Sequence, residues 1–277
     1  MSEVIEIEVD DVDKNDVDKI FTFDDVDDKP HNGKPITRIE TSPNENYLIT
    51  YSEEDRSFVG WNVEDIDKVQ LKFDKTVKID EDNKYEIRSL CVSDDKKLCS
   101  IYDNERTFNT NSFIDYIDYI DVIDMDMNNK DKITLSFYKC IKSMYCTFNL
   151  KGEFILYSKV YEYKIIWIYS TQTKNNKWEC KRFYVIPEDY ELISISKYDK
   201  VYLFSNDYIC EWNINTEKRV KIFVNNKDKN KFETKNIGIF NNDEKFIFLK
   251  VNDKIIVYSI EFGIPIATLD INDGNHF

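Results

Sequence analysis

The stretch Ile39–Ile49, which reads IETSPNENYLI, decides the fold of this chain. It alternates apolar and polar residues up to a serine, passes through four turn-forming residues and then becomes strongly apolar. Two β-strands joined by a tight turn have this pattern. The pattern occurs five times, at intervals of 45 to 56 residues, with its Ser or Asn at Ser42, Ser93, Asn149, Ser196 and Asn241. A short unit that returns at such intervals predicts a repeat architecture.

Each unit has a second anchor, usually aromatic, near the end of its third predicted strand. These anchors are Trp61, Phe108, Trp167, Trp212 and Tyr258. A further alternating stretch follows each anchor, so one unit supplies four short strands, as in a propeller blade. We therefore predict an all-β fold, a β-propeller of about five four-stranded blades, over residues 36–277. Residues 1–35 are predicted to be an acidic leader with one or two strands, and both sets of anchors are interpreted as structural residues of the blades.

The five copies in register resemble a degenerate WD-repeat propeller that covers about residues 36–271. The Ser-Pro-Asp-Gly turn of that family is echoed best at Ser42–Glu45, and its Trp-Asp close at Trp61-Asn62 and Trp212-Asn213. The Gly-His pair that opens a blade in the family is absent from all five copies.

Only two histidines are present, His31 and His276, and both lie outside the repeats. The resemblance therefore implies that the buried Asp–His–Ser–Trp network of the WD-repeat family cannot form here. We predict that both histidines are surface or tail residues, too loosely held to serve as general bases.

Residues Ile36–Asp65 also resemble the N-terminal propeller-like region of fungal proteins that continue into an ion-transport membrane domain. That resemblance implies a truncated, soluble regulatory relative of such a protein. A seven-bladed relative would leave this chain an incomplete arc. Alternatively, strand-like stretches at Val4–Val9 and Lys19–Phe23 would pair with the last blade and fasten a ring of five. The sequence leaves both arrangements open.

The charge of the chain is uneven and acidic. The net charge is −15 over 277 residues, and the first thirty residues hold twelve carboxylates against three lysines. Such a leader repels phosphate backbones, and the remainder has no basic stripe, so nucleic-acid binding is disfavoured and a protein partner with a basic surface is favoured.

No apolar run is long enough to cross a bilayer, and the start lacks the features of a signal peptide. The six cysteines form no Cys-x-x-Cys pair. We therefore predict a cytoplasmic protein whose thiols are small core residues.

No residue is predicted to be catalytic, cofactor-binding or metal-binding. Phosphate-binding glycine loops and His-Glu-x-x-His zinc motifs are absent from the sequence. Stretches starting at Asp11 and Asp124 begin like calcium loops. They fail because Asp16 replaces the required glycine in the first, and Thr22 and Leu135 stand where a bidentate glutamate is needed.

Three aromatic residues are candidates for an interaction surface. Trp178 is out of register with the repeat and is predicted to be a surface residue. Tyr116 and Tyr119 belong to the repetitive stretch Ile114–Asp121, which forms either an exposed acidic-aromatic docking strand or a low-complexity blade strand or connecting loop.

These observations favour a non-enzymatic propeller that serves as a protein-interaction scaffold or regulatory module, a step that rests on fold analogy. One alternative is a regulatory sensor domain detached from an ion-transport protein. Another is a five-bladed hydrolase, which would need paired carboxylates facing a central channel.

Overall fold

The computed structural model describes residues 21–22, 29–65, 70–79, 86–102, 119–126, 133–135, 141–172, 178–205, 208–224, 237–239, 246–251 and 254–270. Within these ranges the chain forms twenty-one β-strands and one short 3₁₀ turn, Pro30–Gly33. None of the described segments is a helix with the length and apolar character needed to cross a membrane.

The strands form five sheets, and strands that are adjacent in sequence pair within each repeat. The first sheet contains β1 (Phe21–Thr22), β2 (Arg38–Thr41), β3 (Tyr47–Ser52), β4 (Ser57–Asp65) and β5 (Gln70–Lys78). The second contains β6 (Ile87–Val92), β7 (Lys97–Tyr102), β8 (Tyr119–Asp124) and β9 (Ile133–Leu135). The third contains β10 (Ile141–Phe148), β11 (Phe154–Val160), β12 (Tyr163–Ser170) and β13 (Glu179–Ile186). The fourth contains β14 (Glu191–Ile195), β15 (Lys200–Ser205), β16 (Tyr208–Asn213) and β17 (Arg219–Val224). The fifth contains β18 (Ile237–Ile239), β19 (Phe246–Val251), β20 (Lys254–Ser259) and β21 (Ile264–Asp270).

The predicted fold class is confirmed: the protein is all-β, a β-propeller of five antiparallel four-stranded blades. The chain also divides into two compact units. One holds the first sheet and part of the second, and the other holds the rest of the second sheet with the third, fourth and fifth.

The first sheet gains an extra strand from the predicted leader. Phe21 and Thr22 of β1 pair in parallel with Leu71 and Lys72 of β5, the outer strand of that sheet. The sequence analysis offered the stretch around β1 as a partner for the last blade, and that expectation was wrong. The other stretch proposed for that role, Val4–Val9, lies outside the described residues.

The core of each unit forms where the inner strands of a sheet are covered on both faces. In the first unit, Val59, Trp61 and Leu71 form a buried cluster. In the second, the third and fourth sheets pack against each other through a buried cluster of eleven residues. Second strands such as β11, whose first five residues are all buried, are nearly all apolar because both of their faces meet other side chains.

Candidate functional site

The turns between the first and second strands of the blades are built on the predicted Ser and Asn anchors. Four of these anchors are buried and lie within the described residues: Ser42, Ser93, Asn149 and Ser196. In each case a side-chain oxygen accepts a backbone N–H of its own turn. The polar side chain thus replaces water for a buried N–H group and fixes the shape of the turn. The fifth anchor, Asn241, lies outside the described residues.

The third residue of each turn has a left-handed backbone. These residues are Glu45, Lys96, Gly152 and Asp199, with φ of 62°, 58°, 70° and 62°. Only Gly152 takes this conformation without steric cost, and the other three are held there by the surrounding hydrogen bonds. The turns are therefore tightly determined structures.

Hydrogen bonds also join the turns of neighbouring sheets within each unit. In the first unit, Asn44 donates from its backbone N and its Nδ2 to the two carboxylate oxygens of Asp94, at 2.9 and 2.8 Å. In the second unit, the Leu150 N–H donates to the Lys197 carbonyl at 3.1 Å. Adjacent turns therefore hold one another in place.

A buried polar network lies beneath the turns of the third and fourth sheets. Asn149 Nδ2 donates to Glu153 Oε2 at 2.9 Å and to Asp199 Oδ1 at 2.6 Å. Lys181 pairs with Glu153 at 3.1 Å, and Lys151 pairs with Asp199 at 2.8 Å. Burial alone would raise the pKa of both carboxyls, but these hydrogen bonds and lysines hold each pKa below its usual value.

The tips of these two turns carry exposed side chains. Leu150 is 39% exposed and Tyr198 is 43% exposed. We use the name turn surface for the group formed by Leu150, Lys151, Arg182, Lys197 and Tyr198. Its backbone is fixed by the network and by the bond between the two turns.

A second network, in the first unit, contradicts the prediction for His31. This histidine is buried: its Nδ1 lies 2.7 Å from Ser57 Oγ and its Nε2 lies 2.8 Å from Thr50 Oγ1. The Trp61 Nε1–H donates to the same Thr50 oxygen at 2.9 Å. Ser57 is in turn hydrogen-bonded to Asp55. A histidine–hydroxyl–tryptophan network with a terminal aspartate thus forms here, so the expectation that no such buried network could form was wrong, and His31 is neither a surface nor a tail residue.

One assignment of protons gives a partner to each ring nitrogen, hydroxyl and indole N–H along this chain of hydrogen bonds. The indole N–H of Trp61 donates to Thr50, Thr50 donates to His31 Nε2, His31 Nδ1–H donates to Ser57, and Ser57 donates to Asp55. The imidazole is neutral in this arrangement. Burial lowers the pKa of His31, against a smaller opposite effect of the Asp55 charge.

The sequence contains one sign of this network, the His-Asn-Gly triplet at residues 31–33. His31 and Asn32 both have a left-handed backbone, with φ of 53° and 51°, and Gly33 follows at 74°. A His-Asn-Gly turn just before the first repeat brings the imidazole back over β3 and β4. Its partners stand 19 and 26 residues further along the chain, which a search for an adjacent Gly-His pair does not detect.

The tryptophan anchors of the first and third sheets are held in the same way. Trp167 Nε1–H donates to Ser158 Oγ at 2.8 Å, and Ser158 has the same register relative to Trp167 as Thr50 has to Trp61. In the fourth sheet Leu203 takes the hydroxyl position.

Without that hydroxyl, the Trp212 ring lies under the Arg219 guanidinium, 5.1 Å from the ring centroid, and packs edge-on against Tyr184. Tyr258, the anchor of the fifth sheet, is half-buried and donates its hydroxyl to the Gly263 carbonyl. Phe108 lies outside the described residues.

The surface prediction for Trp178 was wrong. Trp178 is only 8% exposed and packs against Phe148 and Phe154, at centroid distances of 5.9 and 5.0 Å. Its large apolar ring is held under the third sheet despite its position outside the repeat register. Tyr119 is the first residue of β8, and Tyr116 lies outside the described residues.

Among the described residues, no three His, Cys, Asp or Glu side chains gather in a way that could hold a metal ion.

Comparison with solved structures returned propellers and other proteins at low identity. The β-propeller domain of Cps50 (Swd1) from Myceliophteria thermophila matches 81% of this chain and 65% of that domain, at 10% identity and a TM-score of 0.46. A chain of the mitotic checkpoint complex matches 98% of this chain and 75% of its own length, at 12% identity and a TM-score of 0.47. The tricorn protease matches 87% of this chain but only 27% of its own length, at 12% identity and a TM-score of 0.49.

Neither the protein-family models nor the curated proteins gave a match. The resemblance to fungal ion-transport proteins therefore stays a prediction.

Proposed function

We propose that this chain is a non-catalytic protein-interaction scaffold of the propeller type. The observation that carries the proposal is the way in which the turns are fixed. Buried Ser and Asn anchors set the shape of each turn, and hydrogen bonds such as Leu150 N to Lys197 O join neighbouring turns. Side chains displayed on such turns lose little conformational freedom when a partner binds, so more of the contact energy appears as affinity.

The chemistry of His31 supports a role without catalysis. Both ring nitrogens are engaged in hydrogen bonds inside the first sheet, and the ring is buried. A general base must reach a substrate proton, and both ring nitrogens of this buried imidazole are already hydrogen-bonded, to Thr50 and Ser57.

The net charge of −15 supports a partner with a basic surface. Opposite charge speeds the encounter and makes it sensitive to salt. We also propose a cytoplasmic location, supported by the described cysteines, which form no disulfide with one another and are mostly buried: Cys91, Cys99, Cys146, Cys180 and Cys210.

Affinity capture with the full chain tests the proposal. We expect a partner that binds the native chain, is released at high salt and is captured less well by a double variant of the turn tips, Leu150→Ser with Tyr198→Ser. The matched control replaces Tyr163, which is 59% exposed at the opposite end of the strands of the third sheet, with Ser. The scaffold function is refuted if the native chain captures no protein specifically; if the turn-tip variant captures the same proteins as the control, the turns are not the binding surface.

A further inference from the structure

The turn surface has a local charge opposite to that of the whole chain. Its cations are Lys151, Arg182 and Lys197, with Lys181 next to them on β13, and the carboxylates beneath are Glu153 and Asp199. Both carboxylates are buried and each is already paired with a lysine. The neighbouring exposed charges are Glu179 at the start of β13, and Glu217 and Lys218 in the turn between β16 and β17; when they are included, five cations stand beside four carboxylates.

Arg182 differs from Lys151 and Lys181, which pair with carboxylates. Its guanidinium donates to the side-chain oxygen of Asn215 at 2.7 Å, and its Nε–H has no hydrogen-bond partner. Asn215 itself donates to Asp199 at 2.5 Å, so the guanidinium stands at the edge of the buried network. None of the ion pairs found among the described residues includes Arg182. The Arg182 charge also helps to lower the pKa of Glu153, and its Nε is buried, so a carboxylate from outside accepts hydrogen bonds from the terminal nitrogens of the guanidinium.

Beside these cations lies an apolar pair at the turn tips. Leu150 and Tyr198 are exposed, and the hydrogen bond from Leu150 N to Lys197 O keeps their two turns adjacent. Lys197 extends over the Tyr198 ring, with its Nζ 5.7 Å from the ring centroid. The surface therefore combines a fixed apolar centre with a cationic rim, which is the arrangement of many binding sites in which an apolar anchor is ringed by polar contacts.

We propose that the turn surface binds an acidic peptide segment in which an apolar side chain stands beside the carboxylates. The peptide carboxylates pair with Arg182 and with the neighbouring lysines, and the apolar side chain packs on Leu150 and Tyr198. This inference rests on the proposed scaffold function and adds a second partner chemistry to it. The chain as a whole attracts basic surfaces, whereas this one surface selects an acidic segment.

Fluorescence anisotropy with the full chain tests the inference. The probe is a short fluorescein-labelled peptide with glutamates on both sides of a leucine and a phenylalanine. One companion peptide has lysines in place of the glutamates, and another has serines in place of the two apolar residues. We expect binding of the first peptide to weaken with salt, and both companions to bind about tenfold less tightly or worse.

Substitutions in the protein locate the site. Arg182→Gln should weaken binding of the acidic peptide about tenfold, the loss expected for one charge-assisted hydrogen bond. Leu150→Ser and Tyr198→Ser should each weaken it several-fold, and these exposed turn tips can change without disturbing the core. Arg219→Gln, at an exposed arginine on β17, is the matched control and should leave binding unchanged. Thermal unfolding of the Arg182, Leu150 and Tyr198 variants should follow that of the native chain, whereas Arg219→Gln should unfold at a somewhat lower temperature because it loses the contact with the Trp212 ring.

Several results would overturn the inference. Equal binding of the glutamate and lysine peptides would show that binding does not depend on charge. Equal losses of affinity in Arg182→Gln and Arg219→Gln would show that the peptide does not bind at the turn surface. Tighter binding of a labelled single-stranded RNA than of the peptide would show that the surface recognises phosphate. If no peptide binds while affinity capture still yields a specific partner, this inference fails and the scaffold function stands. If affinity capture yields nothing, the scaffold function itself fails.

Discussion

Replacing Thr50 with valine isolates the buried network of the first sheet, because valine keeps the shape of threonine and loses only the hydroxyl. Two groups lose their partner: the Trp61 indole N–H at 2.9 Å and His31 Nε2 at 2.8 Å. Each buried polar group left unsatisfied costs about 1–3 kcal/mol, so Thr50→Val should lower the free energy of unfolding by about 2–6 kcal/mol. Against the roughly 5–15 kcal/mol of a typical domain, this is a large loss.

The third sheet supplies a matched control. Ser158 accepts a hydrogen bond from one indole N–H, that of Trp167, whose ring is half-buried. Ser158→Ala should therefore cost about 1 kcal/mol. Urea unfolding followed by tryptophan fluorescence gives both values by linear extrapolation.

A double-mutant cycle then assigns the cost of Thr50→Val to its partner. Phenylalanine at position 61 has no N–H to leave unsatisfied, so Thr50→Val should cost at least about 1 kcal/mol less in a Trp61→Phe background. The network described for the first sheet is refuted if Thr50→Val costs no more than Ser158→Ala, or if the two changes at Thr50 and Trp61 are simply additive.

Three further outcomes follow from individual groups in the first unit. Burial lowers the pKa of His31 below 6.5, so the folded state resists protonation of the imidazole and the free energy of unfolding should fall as the pH drops below that value. In His31→Gln, urea unfolding between pH 5 and 8 should show a weaker dependence of the free energy of unfolding on pH. Burial raises the pKa of Glu40 from 4.5 to about 7, against a smaller effect of Arg38, so its contribution to stability is present below about pH 4.5 and is lost as the pH rises through 7. Glu40→Gln should therefore raise the free energy of unfolding more at pH 8 than at pH 4, and an equal effect at both would contradict the raised pKa. Gly60→Ala would place a methyl carbon 2.0 Å from Tyr47 Oη and 2.8 Å from its Cζ, and should cost about 1–3 kcal/mol, only partly recovered by Tyr47→Phe; unchanged urea unfolding would show that this contact relaxes freely.

The sequence predicted the features of the fold that depend on short-range chemistry. Residues such as Ser42 and Asn149 were visible as turn anchors because the N–H groups that they accept lie at most five residues away. Strand alternation is equally local, and it located the blades.

Features that depend on distant partners were missed. The burial of His31 depends on hydroxyls on β3 and β4, and nothing near it in sequence shows that its turn folds back over the first sheet. Trp178 was misjudged for the same reason, since the rings that cover it belong to Phe148 at the end of β10 and Phe154 at the start of β11. The turn surface combines residues of three separate turns or strands, and only the fold brings them together.

The parallel pairing of β1 with β5 and the insertion of His31 have a practical consequence for anyone shortening this chain. Both features belong to residues before Ile36, the point at which the repeat pattern begins. A protein expressed from Ile36 onward would lose an edge strand and the imidazole that fills the space between Thr50 and Ser57, and it should be less stable than the repeats alone suggest. A shortened chain should therefore begin ahead of Phe21, so that the first blade keeps both β1 and His31.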